Sequence, residues 1–525
     1  MEVEASPVFP QARGVRRLYR FPGGLRLEEH KTLSTARPIE PLPLPGLLVV
    51  PLAQHIGVAA KPRVAPGQRV LKGEPIGLAE GYVSCGVHAP TSGRVLAVEP
   101  RPVPHPSGLP GLCVVIEPDG EERWIERRPI DYLNADPSEV RQRLREAGLA
   151  GLGGAVFPSA VKLNPGANVV RTLVVNGAEC EPYITCDDML MRSRAAEIVM
   201  GIEIARHLLG AVEVVIGIED NKPEAIAAME AAAAGRPYEI VPVPSIYPAG
   251  GEKQLLYTLT GLEVPSGKRP HDIGLACFNV GTLYALARAV LYGEPLISRI
   301  TTVTGNVEAP RNVEALIGTP VADLVSAARP RPDTDAFIMG GPMMGFVLPG
   351  PEVPVIKATN CVIARSAALL PAPPPSMPCI RCGRCAQVCP ARLAPMELYA
   401  FAKSRNFGKA QEYALFDCIE CGCCSAVCPS HIPLVDYYRY AKSEIWARER
   451  ERKAADLARR RHEFRLARLA REKEARARRL AEKTGATGPE AADRAAILAA
   501  IEQAKAKKAP AASDPVSPPS SSETR

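Results

Sequence analysis

The sequence predicts a multidomain α/β protein, and three observations carry that expectation. From about Pro137 to Pro295, apolar runs of strand length alternate with helical runs, which implies a mainly parallel sheet covered by helices. Ahead of it, residues 22–120 break into short β segments punctuated by Gly and Pro. Behind it, nine of the fifteen cysteines crowd between Cys379 and Cys428. A chain of 525 residues holds three or four cores, at roughly 100 to 200 residues per domain. With 46% hydrophobic and 23% charged residues it is neither generally disordered nor a multi-span membrane protein. No run approaches the ~18 apolar residues of a spanning helix, and the first residues lack a signal-peptide core. Cytoplasmic residence with reduced thiols is the expectation.

The first β segments are LLVVPL, GQRVLKGEPIGLAE, VHAPTSGRVLAVEP and LCVVIEP. The order Gly67, Val70, Gly73, Ile76, Gly77, followed by His88 to Val95, resembles the lipoyl or biotinyl barrel-sandwich hybrid over residues 20–130. Carrier domains of that kind need a lysine at the hairpin tip. Here the tip, Ala79 to Cys85, has none, so a docking module is expected and not a swinging arm.

Residues 137–296 then read as an α/β domain: the helix VRQRLREAGLAGLGG, the buried strand TLVVNGAE, and the amphipathic helix DMLMRSRAAEIVMGIEIARHLL. VEVVIGIED (strand), KPEAIAAMEAAAAG (helix), YEIVPVP (strand) and CFNVGTLYALARAVLYG (a turn into a helix) follow. Residues 298–365 resemble the soluble-ligand-binding (SLBB) β-grasp domain, through the order strand, Gly turn, Asn-Val, Gly-Thr-Pro, helix. The spacer Pro371 to Pro375 leads into a cysteine-rich domain over 368–440. A basic helix is expected over 441–485 and a disordered tail over 486–525. From Lys442 to Lys483 there are 16 Lys or Arg against 8 Asp or Glu, so the formal charge of +7 belongs to that arm and the body is nearly neutral.

Cys379, Cys382, Cys385 and Cys389-Pro390 recur 39 residues later as Cys418, Cys421, Cys424 and Cys428-Pro429. A cubane cluster needs four soft thiolates, three from a tight CxxCxxC loop and a distant fourth; in the bacterial two-cluster ferredoxin pattern the fourth serves the other cluster. Cys379, Cys382, Cys385 and Cys428 are therefore expected around one [4Fe-4S] cluster, and Cys418, Cys421, Cys424 and Cys389 around a second. A pair of zinc sites is the weaker alternative. Cys423 falls outside the register.

GLGGAVFPSAVK (Gly151 to Lys162), NGAECEP (Asn176 to Pro182), YPAGGEKQLL (Tyr247 to Leu256) and NVGTL (Asn279 to Leu283) occur in the order that resembles the flavoprotein subunit of respiratory complex I, which binds FMN and NADH. Glycines such as Gly151, Gly153, Gly154 and Gly250 let backbone N–H groups approach a phosphate, and Lys162 adds a charge. The resemblance implies that Asn176, Glu181, Asn279 and Thr282 contact the flavin and that Phe157 stacks on the NADH adenine. Glu179, Glu181, Glu252 and Lys268 would line the nucleotide pocket. Ala178 and Gly251 replace acidic residues of that family, and its adenine aromatics have no counterpart at Leu163 or His271.

Barrel-sandwich module, flavin domain, β-grasp domain, twin cysteine motif and basic helix occur in one order. That order resembles the RnfC family, a component of the Rnf ion-translocating oxidoreductase (electron transport) complexes, over residues 20–480. FPGGLRLEEHK (Phe21 to Lys31), NGAECEPYITCDD, GGPMMG and Asn360-Cys361 look like signatures of that family. The resemblance implies NADH oxidation through FMN and the two clusters, and a peripheral position on the cytoplasmic face of the bacterial inner membrane. It also implies other Rnf subunits as partners, with ferredoxin an indirect one. The basic arm would serve lipid or a partner subunit, since it lacks the aromatics of nucleic-acid binding. Rival readings are a soluble cobalamin-reductase-like enzyme and a non-catalytic electron relay.

Overall fold

In the computed structural model, residues 16–483 and 489–507 are described. The chain divides into two units, at Ser443 and Glu444. No helix among the described residues is long and apolar enough to cross a membrane.

The first module packs two small antiparallel sheets face to face. One has the order Leu48–Pro51, Gly111–Pro118, Gly93–Arg101, Arg69–Val70; the other has Lys61–Pro62, Pro75–Leu78, Val87–His88. Alternating residues from both, including Val50, Ile76, Val95, Val114 and Ile116, fill the space between them. At the hairpin tip the buried Cys85 meets a lysine from elsewhere. The Lys357 ammonium, in the β-grasp domain, donates to the Gly86 carbonyl at 3.0 Å and to that of Gly148, in the flavin domain, at 2.6 Å. One buried lysine thus ties three domains together.

The central domain is a four-stranded parallel sheet with the order Tyr238–Val243, Glu213–Glu219, Thr172–Gly177, Leu275–Asn279. The residues Cys277 to Asn279, expected as part of a turn into a helix, are instead the end of the fourth strand, Leu275–Asn279. Its buried Leu275, Ala276, Cys277 and Phe278 pair in register with Thr172 to Val175. Strands two and three lie to one side of the first, and strand four to the other. The order of the sheet therefore reverses between Thr172–Gly177 and Leu275–Asn279, and such a switch point opens a crevice at the carboxyl ends of the strands. Helices Cys186–Leu209 and Val280–Leu291 pack on the sheet through Ile198, Ile202, Leu283 and Leu286.

A six-stranded mixed sheet forms the β-grasp domain, in the order Glu40–Pro41, Arg311–Leu316, Ser298–Gly305, Cys361–Arg365, Ala336–Met339, Phe346–Val347. Its edge strand, Glu40–Pro41, comes from far outside the expected 298–365 segment and lies parallel to Arg311–Leu316. The edge is thereby covered.

The cysteine-rich domain runs into a helix, Leu434–Lys483, that begins before the expected position 441. Tyr438 Oη donates to the Pro395 carbonyl at 2.7 Å, and Lys442 Nζ to the Cys418 carbonyl at 2.7 Å, so the start of the helix belongs to the cysteine-rich fold. Within the second unit, the expected disordered tail is in part a helix, Pro489–Lys507, whose Ala, Glu, Lys and Gln residues are strong helix formers. The rest of the 486–525 tail, residues 486–488 and 508–525, lies outside the described residues.

Candidate functional site

The switch point gathers most of the predicted flavin residues. Asn176 and Asn279 are register partners at the carboxyl ends of the two diverging strands. Asn279 caps helix Val280–Leu291, accepting from the N–H groups of Gly281 at 2.9 Å and Thr282 at 3.3 Å. Thr282 Oγ1 in turn accepts from the Leu152 N–H at 2.8 Å, which draws the Gly-rich loop over the helix terminus. A Cβ on Gly153 would lie 3.2 Å from the Asn279 Cβ, whereas Gly154, at φ +99°, faces open space. Gly151 donates to the Phe157 carbonyl at 2.8 Å and closes the loop beside a half-buried Phe157. The result is a cradle of exposed backbone at a helix N-terminus, which suits a phosphate-bearing cofactor.

The second wall comes from the loop after Tyr247. Asn176 Nδ2 donates to the Gly250 carbonyl at 2.9 Å. A side chain at Gly250 would overlap the Ala178 carbonyl and come 3.0 Å from Cys180 Sγ, so glycine is required by close approach. Glu252 opens helix Glu252–Thr260 and forms an ion pair with Lys162, whose ammonium lies 5.1 Å from the Phe278 ring centre. Burial opposes the charge on Lys162, but Glu252 holds its pKa above the ordinary lysine value.

The carboxylates expected in the nucleotide pocket are used differently. Glu179 is buried at the start of helix Cys186–Leu209 and accepts from Asp187 N–H at 2.8 Å and Asp188 N–H at 3.3 Å. Burial, with Asp187 beside it, pushes its pKa up to about 7. Glu181 accepts from the N–H groups of Met343 at 3.2 Å and Met344 at 2.7 Å, in the GGPMMG loop of the β-grasp domain. Burial likewise pushes it up to about 7 against those two donors. Lys268 is exposed, and its ammonium makes no hydrogen bond or ion pair among the described residues. Glu179 and Glu181 are thus each held by backbone donors, and Glu252 by Lys162.

Three residues at this site escaped the sequence reading. Lys31 Nζ donates to the carbonyls of Glu179, Glu181 and Ile184, the last two at 2.7 Å, and so holds the NGAECEP loop from below. Its only signal was its place in FPGGLRLEEHK. Buried Arg299, from the β-grasp domain, donates to the Leu152 carbonyl at 2.8 Å. Asp187 accepts from Asn279 Nδ2 at 2.5 Å; burial raises its pKa, and Arg299 opposes that.

The cysteines line two small cavities. Cys379, Cys382, Cys385 and Cys428 surround one, and Cys389, Cys418, Cys421 and Cys424, together with Cys423, surround the other. Left-handed residues recur at matched positions: Arg381 and Glu420, Gly383 and Gly422, Arg392 and His431. Each motif therefore coils in the same way around its cavity, with three thiols from one loop and the fourth from the other motif. That donor set fits a pair of cubane clusters.

Redox chemistry by flavin and iron–sulfur centres is the class that this fold and these thiols define. The chain matches the Nuo51 FMN-binding domain at residues 144–288 and the 4Fe-4S dicluster domain at 376–429. It also matches the RnfC barrel sandwich hybrid domain at 19–121 and the SLBB domain at 300–347. The relative named as the C subunit of an ion-translocating oxidoreductase complex in Pseudomonas aeruginosa is 52% identical over 465 residues, covering 88% of this chain and 60% of the relative. The protein of the same name in Vibrio cholerae is 49% identical, over 94% of this chain and 65% of the relative. In Yersinia pestis the identity is 48%, over 94% of this chain and 80% of the relative. The chain belongs to this RnfC family of ion-translocating oxidoreductase complex subunits. It spans less than two thirds of the length of the first two of these relatives. A solved NAD+-reducing [NiFe]-hydrogenase is similar at 21% identity and a TM-score of 0.44, covering 59% of this chain and 63% of that one.

Proposed function

We propose that the chain takes electrons from NADH at its FMN-binding domain and passes them singly, through two [4Fe-4S] clusters, to other subunits of a membrane ion-translocating complex. FMN, when bound, would supply the chemistry that takes up one hydride, two electrons at once, and gives the electrons up singly to centres that accept one at a time. Gly151, Gly153, Gly154, Asn176, Asn279 and Thr282 would hold the flavin, with Lys162 supplying positive charge. The crossed sets Cys379, Cys382, Cys385, Cys428 and Cys418, Cys421, Cys424, Cys389 would ligate the clusters. No side-chain general base is needed; the protein's task is to position and insulate.

One observation carries this reading. Tyr247, in the loop that walls the flavin cradle, donates its hydroxyl to the Cys421 carbonyl at 2.6 Å. Around it the partly buried Cys180, Met343, Val388 and Ile419 pack with the buried Cys421 and Cys423 in one apolar cluster. The second cysteine loop therefore abuts the flavin domain and is the side that receives electrons; the first loop is the side that releases them.

The complex would sit at the cytoplasmic face of the membrane, with this chain peripheral and ferredoxin an indirect partner. Its basic arm would be drawn to anionic lipid or to a partner subunit. Anaerobic reconstitution followed by NADH titration, reading flavin bleaching and iron content together, tests the assignment. Full iron without flavin would overturn NADH oxidation and leave a relay.

A further inference from the structure

The two cysteine motifs are the same local fold 39 residues apart, so each position in one has a counterpart in the other. Their surroundings differ sharply. In the second motif, Ile419 packs into the cluster of Tyr247, Cys421 and Cys423, and Cys423 is fully buried. Gly422 lies so close to the β-grasp loop that a Cβ there would be 2.6 Å from the Met343 carbonyl. Glu420 is claimed by Arg439 at 3.0 Å and Lys442 at 2.7 Å. The face of this module is thus covered by the domains that would deliver electrons to it.

The counterpart face of the first motif is bare. Ile380, which matches Ile419, is 68% exposed; Arg384, which matches Cys423, is exposed, and a Cβ on Gly383 would meet nothing within 4 Å. Met377, held beside it by a 2.9 Å bond from its N–H to the Ser430 carbonyl, is 62% exposed. Cys379 and Cys382 are themselves exposed. Around this apolar centre stand Arg381, Arg384 and His431, all exposed, with Arg381 only loosely paired to Glu397 at 3.7 Å. Large apolar side chains left in water beside basic ones mark a contact surface.

We propose that this face, centred on Ile380 and Met377 and rimmed by Arg381, Arg384 and His431, docks an acidic protein that carries a one-electron centre. The inference rests on the two-cluster reading above and adds to it the place and chemistry of the partner. The occupant follows from the repeat itself. The same face of the second motif accepts a redox domain, and a carrier seated equivalently on the first would come as close to its cluster. The bare face presents exposed Arg381 and Arg384 where the buried one packs Cys423, so the partner surface is negative. Complementary charge of this kind steers a short-lived complex and makes its on-rate fall with salt.

The probe is an acidic plant-type [2Fe-2S] ferredoxin. Its binding to the reconstituted holoprotein is measured by surface plasmon resonance at low and high salt, beside Arg384→Glu and Met377→Glu variants. Iron and flavin content and the NADH-driven bleaching of the flavin are read on the same samples, so failure of the docking face is distinguishable from failure of the electron-path reading. The expected result is salt-sensitive binding that each variant weakens at least tenfold while both cofactors stay in place. Binding by both variants as tight as that of wild type would overturn the proposal, as would absence of binding to the acidic carrier or preference for a basic cytochrome c. Retention of wild type, but not Arg384→Glu, on phosphatidylserine vesicles would also overturn it, by assigning the face to lipid. If Arg384→Glu loses iron, Met377→Glu, which lies outside the cysteine loop, decides alone.

Discussion

Asn176 and Asn279 stand opposite each other in register where the parallel sheet reverses its order, and each commits its side chain to a different wall of the cradle. Asn176 reaches the Gly250 carbonyl, while Asn279 caps a helix and reaches Asp187. The pair converts a bend in topology into two fixed walls a strand's spacing apart.

The approach at Gly250 predicts an asymmetry between glycines. Gly250→Ala would drive a methyl group into the Ala178 carbonyl, so flavin content should collapse. Gly154→Ala meets open space and suffers only from its positive φ, about 1–3 kcal/mol. Flavin fluorescence of the two purified variants checks this, and equal flavin retention would refute it.

Lys31→Met should loosen the NGAECEP loop. Hydrogen bonds to a charged group are worth about 1.5–3 kcal/mol each, and the three made by Lys31 share one ammonium, so a loss of ~3 kcal/mol is expected. The visible outcome is weaker flavin retention on dilution, with iron content unchanged. Flavin held as tightly as in wild type would remove Lys31 from the site.

Glu181 gives a pH signature. Folded, it keeps its proton up to about 7; unfolded, it releases it near 4.5. Between those values the unfolded chain binds fewer protons, so stability falls as pH rises through this window and levels off above it. Glu181→Gln lacks that slope. The difference in melting temperature, wild type minus variant, should decline from pH 4.5 to 7; a flat difference counts against the raised pKa.

Crossed ligation separates Cys389→Ser from Cys428→Ser. The first should perturb the cluster of Cys418, Cys421 and Cys424, and the second that of Cys379, Cys382 and Cys385. Because only the latter cavity has exposed thiols, the Cys428→Ser cluster should be the one bleached faster by a hydrophilic chelator. Identical spectra and chelation rates for the two variants would contradict the assignment.

Truncation after Ser443 should leave flavin and iron in place, whereas truncation after Tyr440 removes Lys442 from the Cys418 carbonyl and from Glu420. Iron content should drop in the shorter protein alone. Equal iron in both would show that Lys442 is dispensable.

Spacing and periodicity made the cysteine cavities and the βα alternation legible, because both are local. What they missed depended on partners distant in sequence. Cys277 to Asn279 read as a turn before the helix, and only the pairing of Leu275–Asn279 with Thr172 to Asn176 makes them a strand. Glu40–Pro41 is a strand only because Arg311–Leu316 lies beside it. Glu181 looks like a pocket carboxylate until the GGPMMG loop arrives to use it. In the tail, an Ala-, Lys-, Pro- and Ser-rich composition argued for disorder, yet local helix propensity prevails over Pro489–Lys507.

The strap from Gly23 to Lys31 touches everything that matters. Gly24 donates to the Val388 carbonyl at 3.0 Å, Leu25 exchanges backbone bonds with Tyr247 at 2.8 and 2.9 Å, the Glu29 carbonyl accepts from the Tyr183 N–H at 2.8 Å, and Lys31 holds the NGAECEP loop. None of those partners exists when the ribosome releases these residues. Contacts so distant in sequence form late, after the loops between them have closed. These residues, among the first made of the described chain, therefore wait unpaired until Tyr247 and Val388 have been made.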